Sequence, residues 1–210
     1  MGVMSASGSF TRYRIVEEVP QGLWLQIQDR LIRDSFQEIE DTADEYAHGW
    51  VSIDDMLDTA WSSGPPFKGE YVAFALRLDT RRIPAGVFKK HYQIGLQEAL
   101  AKAREQGRQY VGREAKKELK EKVKLWLLSQ TLPVPAVFDV VWSMQTNRIL
   151  LGSTQNTART LFEDLFTKSF ELHLEPMTPF FLAAQLGGEK VQEKLEAYEP
   201  VAFVEPLARG

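Results

Sequence analysis

The sequence predicts an α+β fold in which two β/α halves with antiparallel strands, ordered β-α-β-β and β-β-α-β, flank an inserted long helical hairpin. Three observations carry this. Short β-rich runs alternate with amphipathic runs in both outer thirds of the chain. Strand candidates adjoin in pairs across turn residues. The middle keeps helical spacing on either side of a turn bracketed by Gly107 and Gly112. The expected division of the 210 residues is a first half (1–83), a basic helical arm (84–130), a second half (131–176), and a C-terminal tail with a short helix (177–210).

Each element has its own warrant. Residues 9–19 read as a strand because Phe10, Arg12, Arg14 and Val16 alternate with Thr11, Tyr13 and Ile15. Leu23, Ile27, Leu31 and Ile32 then give one apolar face to a helix expected over 21–39, and the acidic stretch 38–45 reads as a loop. Residues 49–53 are a short strand candidate, and the run 62–66 (Ser-Ser-Gly-Pro-Pro) is the clearest break. The nearly continuous apolar run 71–78 is a buried strand. Pro84 suits a first helical turn. Val87, Phe88, His91, Tyr92, Gly95, Leu96, Ala99, Leu100 and Ala103 mark one face of the first arm helix. Ala115, Leu119, Val123 and Trp126 mark the second, over 113–130, and the Pro133-Val134-Pro135 run stops it. Residues 137–144 and 148–151 flank a turn that includes Asn147. Ser153 or Thr154 caps a helix carrying Ala158, Leu161, Phe162, Leu165 and Phe166, and 170–174 alternates as a last strand. A short helix is expected near 189–197.

Composition narrows function. Hydrophobic residues make up 44% and charged residues 26% of the chain, which is globular usage. Cysteine is absent, so disulfides, thiol catalysis and cysteine-ligated metals drop out, and His48, His91 and His173 are too scattered to suggest a metal cluster. No run approaches the ~20 apolar residues of a membrane helix. Residues 1–9 lack the basic and apolar regions of a signal peptide, so a cytoplasmic protein is expected.

The net charge of −4 averages two unlike regions. Residues 68–124 hold 15 Lys and Arg against seven Asp and Glu, a surplus of eight, while the remainder holds 10 against 22. Such asymmetry suits a polyanion-binding face on an acidic body.

Nucleotide-loop, dinucleotide, nucleophile-elbow and zinc-protease motifs are all missing, so no catalytic residue, metal or cofactor is assigned. Asp54, Asp55 and Asp58 could share a helix face and hold magnesium, but they read better as an acidic first turn after Ser52. The strongest signal lies on the second arm helix. Arg113, Lys116, Lys117, Lys120 and Lys124 fall at 0, +3, +4, +7 and +11, one stripe at helical period. Arg81, Arg82, Lys89 and Lys90 add charge at the start of the arm, completing the candidate DNA-binding set. Glu114, Glu118 and Glu121 are spaced to pair with Lys117, Lys122 and Lys124. No base-reading motif accompanies the stripe, so contacts would go to phosphates.

The order of motifs resembles the RdgC family of recombination-associated proteins, in a shortened form. The similarity runs from about Phe10 to Pro179. It rests on Tyr13-Arg14, Gly49-Trp50-Val51, Arg82-Ile83-Pro84, Gly107-Arg108, the run 116–121 (Lys-Lys-Glu-Leu-Lys-Glu), Leu127-Leu128, Val141-Trp142 and the run 170–176 (Phe-Glu-Leu-His-Leu-Glu-Pro). A basic-aromatic run that the family carries after the arm is replaced here by the run 132–135 (Leu-Pro-Val-Pro). The resemblance implies a nucleoid-associated, non-enzymatic homodimer that rings duplex DNA without sequence preference and limits RecA access. The alternative expectation is a protein-interaction or dimerisation module that uses the helical arm and does not bind DNA. A metal-dependent nuclease built on Asp54, Asp55 and Asp58 is a distant third.

Overall fold

The apolar run after Gly69 sets the architecture. It forms a ten-residue strand, Tyr71–Thr80, whose residues are buried on both faces from Val72 to Asp79. In the computed structural model, which describes residues 7–197, this is β4. Before it come β1 (Thr11–Ile15), a 3-10 turn (Gln21–Gln26) running into α1 (Ile27–Arg33), β2 (Tyr46–Val51) and β3 (Phe67–Lys68). After it come α2 (Ala85–Glu105), α3 (Arg113–Ser129), β5 (Val134–Ser143), β6 (Arg148–Leu151), α4 (Asn156–Phe170), β7 (Leu174–Pro176), α5 (Pro179–Gly187) and α6 (Glu189–Ala197).

The strands form one antiparallel sheet in the order β2-β4-β5-β6-β1-β7, with β3 also paired to β4. The α+β class follows. β4 and β5 pair along their full length, from Tyr71 opposite Ser143 to Thr80 opposite Val134, so strands from before and after the arm share a single sheet. Alternation sorts side chains to its two faces. Tyr13, Val72, Phe74, Leu76, Val140, Trp142, Ile149 and Leu151 point one way, where Ile27 and Leu31 of α1 and Phe162, Phe166 and Phe170 of α4 complete the core. Aromatic edges meet there: Trp50 against Phe74 at 5.1 Å and Trp142 against Phe166 at 5.3 Å between centroids. The buried Trp50 indole donates to the Ser169 hydroxyl at 2.8 Å, which fixes the last turn of α4 to β2.

The helix expected over 21–39 stops at Arg33. Asp34 turns into the protein, where its carboxylate takes the side chains of Arg33 and Lys168, each at 2.8 Å. Burial raises the pKa of Asp34, but these hydrogen bonds outweigh it and hold the group below its ordinary value. The backbone then leaves helical geometry. The Phe36 N–H donates to the Trp50 carbonyl, and the Trp50 N–H donates to the Asp34 carbonyl. Residues 34–45 are therefore a strap that carries Phe36 onto the second face of the sheet, beside Val51 and Ala75. Phe36 approaches Gly49 so closely that any Cβ there would collide with the Phe36 backbone.

Two arginines near the end of β4 clamp this strap. Arg77 stacks on the Phe36 ring at 4.0 Å and binds Glu38 and Asp79, each at 2.8 Å. The Arg81 guanidinium donates to the carbonyls of Ile39, Glu40, Thr42 and Asp44.

Other boundaries differ from the expectation. The first strand is five residues long, and β2 begins at Tyr46. Residue 170, expected to open a strand, closes α4 instead: Phe170 packs into the core, Glu171 takes a left-handed φ of 61°, and the strand starts at Leu174. Neither Ser153 nor Thr154 caps α4, whose preceding residue is Gln155. The two-residue β3 and the apolar helix α5 have no counterpart among the elements expected from sequence.

Candidate nucleic-acid interface

The arm is α2 and α3 packed against each other, and its turn is built as the glycines suggest. Gly107 adopts φ 73°, its N–H donates to the Arg104 carbonyl at 2.9 Å, and the Arg108 N–H donates to the Ala103 carbonyl at 2.8 Å. This doubly bonded end needs a left-handed residue, which glycine supplies without a steric cost. Gly95 supplies the close approach: a Cβ there would come within 2.9 Å of the Leu119 methyl group. His91 meets Trp126 at 5.0 Å between ring centroids, and Phe88 stacks on Tyr92 at 6.1 Å. Leu127 and Leu128 are the buried residues of α3, at the foot of the arm, while α2 buries none.

The basic stripe falls largely in solvent. Arg113, Lys116, Lys117 and Lys120 are exposed, and among the described residues none of their side chains has an ion-pair or hydrogen-bond partner. Among the described residues, Glu114, Glu118 and Glu121 make no ion-pair contact with neighbouring lysines, although the charge of Glu121 still acts on Lys124; Lys124 pairs instead with Glu45, the residue that ends the strap. The Glu45 carboxylate raises the pKa of Lys124 above its ordinary value by hydrogen bonding and by charge. Arg82, Lys89 and Lys90 are exposed at the start of the arm.

Arg81 is placed differently from the rest of the predicted set. Its residue exposure is 6%, and its guanidinium faces four carbonyls of the strap, so it anchors the body and is not presented to a phosphate. Nothing in local spacing separates Arg81 from Arg82. Their difference comes from the alternation of an extended segment that turns one residue inward and the next outward.

The three aspartates considered for a metal have separate local partners. Asp54 pairs with Lys68 at 2.7 Å, and Asp55 accepts the Leu57 N–H at 2.9 Å. Asp58 accepts the N–H groups of Ala60, Ser62 and Ser63 and the hydroxyls of both serines. The Ser63 hydroxyl and N–H lead in holding the Asp58 carboxyl far below its ordinary pKa. Among the described residues, no group of three or more His, Cys, Asp and Glu side chains is arranged to hold a metal ion. Also among them, no helix is long and apolar enough to cross a membrane.

The family model described as "Putative exonuclease, RdgC" matches residues 9–184. No curated protein matches the sequence. The matched span takes in the strap, the whole arm and every strand of the sheet. On that span, the chain belongs to the RdgC family.

Proposed function

We propose that the chain is a recombination-associated, nucleoid-bound protein that grips duplex DNA without regard to sequence, as a homodimer, and limits access of RecA. Family membership supports the recombination setting. The observation that carries DNA binding is the exposed stripe of Arg113, Lys116, Lys117 and Lys120, four cations with no acidic partner among the described residues, on a chain of net charge −4. Flexible cations on a helix face suit phosphates, which are regularly spaced and carry no sequence information. Arg82, Lys89, Lys90 and Lys124 extend the contact; Lys124 must exchange Glu45 for a phosphate.

In this reading the protein acts by binding. The family description names an exonuclease, and such chemistry would need clustered carboxylates; Asp54, Asp55 and Asp58 are instead committed to Lys68 and to backbone and serine groups. Magnesium-dependent shortening of linear duplex DNA, abolished by Asp54→Ala or Asp55→Ala, would overturn this.

One observation favours the interaction-module reading. Trp126 is 49% exposed, and Val87, Ile94 and Leu125 are exposed apolar side chains on the same arm. Salt titration separates the readings. On duplex DNA, log affinity falls with log salt at about −0.9 per phosphate neutralised. Changing Arg113, Lys116, Lys117 and Lys120 to Gln removes the four unpaired charges at similar side-chain length. It should weaken binding to unrelated duplexes alike and flatten the slope by up to about 3.6. A folded variant that keeps the parent's slope refutes the arm as the DNA contact. Dimer mass is read in parallel by light scattering.

A further inference from the structure

The sheet face opposite the α1 and α4 core is covered over β2 and β4 by the strap, and toward β6 and β1 it carries a second group of cations. The register fixes their placement. Arg14 of β1 stands directly opposite Arg148 of β6, and Arg12 stands opposite Leu150, which is in turn opposite Val141 of β5. Arg12, Arg14 and Arg148 thus share one face and adjacent rows.

Like charges directly opposed across two strands are unfavourable. The structure relieves this on one side alone: Arg14 pairs with Glu175 of β7 at 2.6 Å and lies over the Phe181 ring at 4.4 Å. Arg12 and Arg148 are exposed, and among the described residues their guanidiniums have no acidic or hydrogen-bonding partner. Tyr71 of β4, 47% exposed, lies on the same face, in register with Ser143 of β5. From β4 to β1 the face spans three inter-strand spacings, about 14 Å. Its middle is the half-buried pair Val141 and Leu150.

We propose that this face binds a single strand of nucleic acid, with Arg12 and Arg148 on phosphates and a base stacked on Tyr71. The proposal takes its class of ligand from the nucleic-acid reading above, but does not depend on the arm. Two unpaired guanidiniums beside a solvent-facing aromatic ring are the complement of a phosphodiester chain with unstacked bases, and such surfaces bind with little sequence preference. A flat sheet face suits a strand that can splay its bases; a paired duplex presents no free base to the ring.

The experiment measures anisotropy of a fluorescent oligothymidine and of a fluorescent duplex across a salt series. The proteins are the full chain, Arg12→Gln/Arg148→Gln, Tyr71→Ala, and the arm variant with Arg113, Lys116, Lys117 and Lys120 changed to Gln. Removing the two arginines should flatten the single-strand salt slope by about 1.4, at roughly 0.7 per phosphate. Tyr71→Ala should cost about tenfold in single-strand affinity, within the range for loss of one stacked base. Both should leave duplex binding nearly as in the parent. Thermal unfolding checks integrity, and Arg12→Gln/Arg148→Gln should unfold no earlier than the parent because it removes the like-charge opposition of Arg148 to Arg14.

A parent that does not bind oligothymidine overturns the proposal. So does a double variant that binds it with the parent's slope, or one that loses duplex and single-strand affinity equally, which would make these arginines a general charge contact. If the arm variant alone loses duplex binding while the sheet variants are silent, the arm reading stands and this one fails. If the arm variant is silent and the sheet variants lose single-strand binding, the reverse holds.

Discussion

Replacing Arg77 by Met should produce a large loss of stability. The Arg77 side chain is 6% exposed, and its guanidinium faces Asp79, whose side chain is 1% exposed, and Glu38, which is about half exposed. Its pKa is raised above the ordinary arginine value, first by the hydrogen bond it donates to Asp79, so the charged form is the one the fold contains. Methionine fills much of the stem volume but leaves the Asp79 carboxylate buried without a counter-charge. Breaking a buried pair in this way costs about 3–5 kcal/mol, and loss of the stacking on Phe36 adds about 0.5–1 kcal/mol. Against a typical total of about 5–15 kcal/mol, that is about a quarter or more of the stability of the fold. Removing Asp79 as well, in Arg77→Met/Asp79→Leu, replaces the pair by apolar volume and should recover most of the loss. Glu38 needs no such remedy because water reaches it. Urea unfolding followed by tryptophan fluorescence at 25 °C gives both numbers. A loss below about 1 kcal/mol in the single variant, or a double variant no more stable than the single, refutes the assignment of the pair as a buried clamp.

Other contacts in the body make sharper, smaller tests. Ser169→Ala leaves the buried Trp50 indole N–H without its acceptor and should lower stability by about 1–3 kcal/mol, read by chemical denaturation. The Asp58 carboxyl titrates lower in the folded chain than in the unfolded one, so its contribution is complete above about pH 4 and is lost as pH falls toward the native value. The melting temperature of Asp58→Asn should accordingly fall less steeply than the parent's below that pH, and parallel acid limbs would count against the Ser63 hydrogen bonds as the cause. Gly49→Ala forces the strap away from β2, so limited proteolysis should cut residues 34–45 in the variant under conditions that spare the parent; equal protection would mean that the strap rests on the two arginines alone.

The elements most legible in the sequence are those whose pattern is local. The apolar run of β4, the two arm helices and the Gly107 turn depend on nearest neighbours along the chain, and the structure places them close to where periodicity does. The strap is hidden because Ile32, Phe36 and Ile39 recur at spacings of four and three, which a helix continuing from α1 would also show. The preference for an extended path comes from Asp34 reaching Lys168 and from backbone pairing with Trp50, contacts that join distant parts of the chain. For the candidate site, the stripe on α3 is readable as a helical period. That Arg81 serves the body, and that Lys124 is tied to Glu45, depends on contacts between segments roughly forty to eighty residues apart, which no local spacing encodes. Arg12 and Arg14 stand visibly on one side of their strand, but the opposition of Arg14 to Arg148 exists through register alone.

The pairing of Thr80 with Val134 makes the arm, in topological terms, the connection of a β-hairpin. Its two ends leave adjacent strands about 5 Å apart, a separation that a two-residue turn would bridge equally well. Lengthening such a connection is thermodynamically mild, since each doubling of a flexible loop costs only about 0.6 kcal/mol. Insertions or deletions in whole helical turns near Gly107 would move the tip by about 5.4 Å per turn while leaving the sheet register untouched. Reach can therefore be tuned by indels at a site the body does not sense, which frees the distance between tip and sheet to vary independently of the protein's stability.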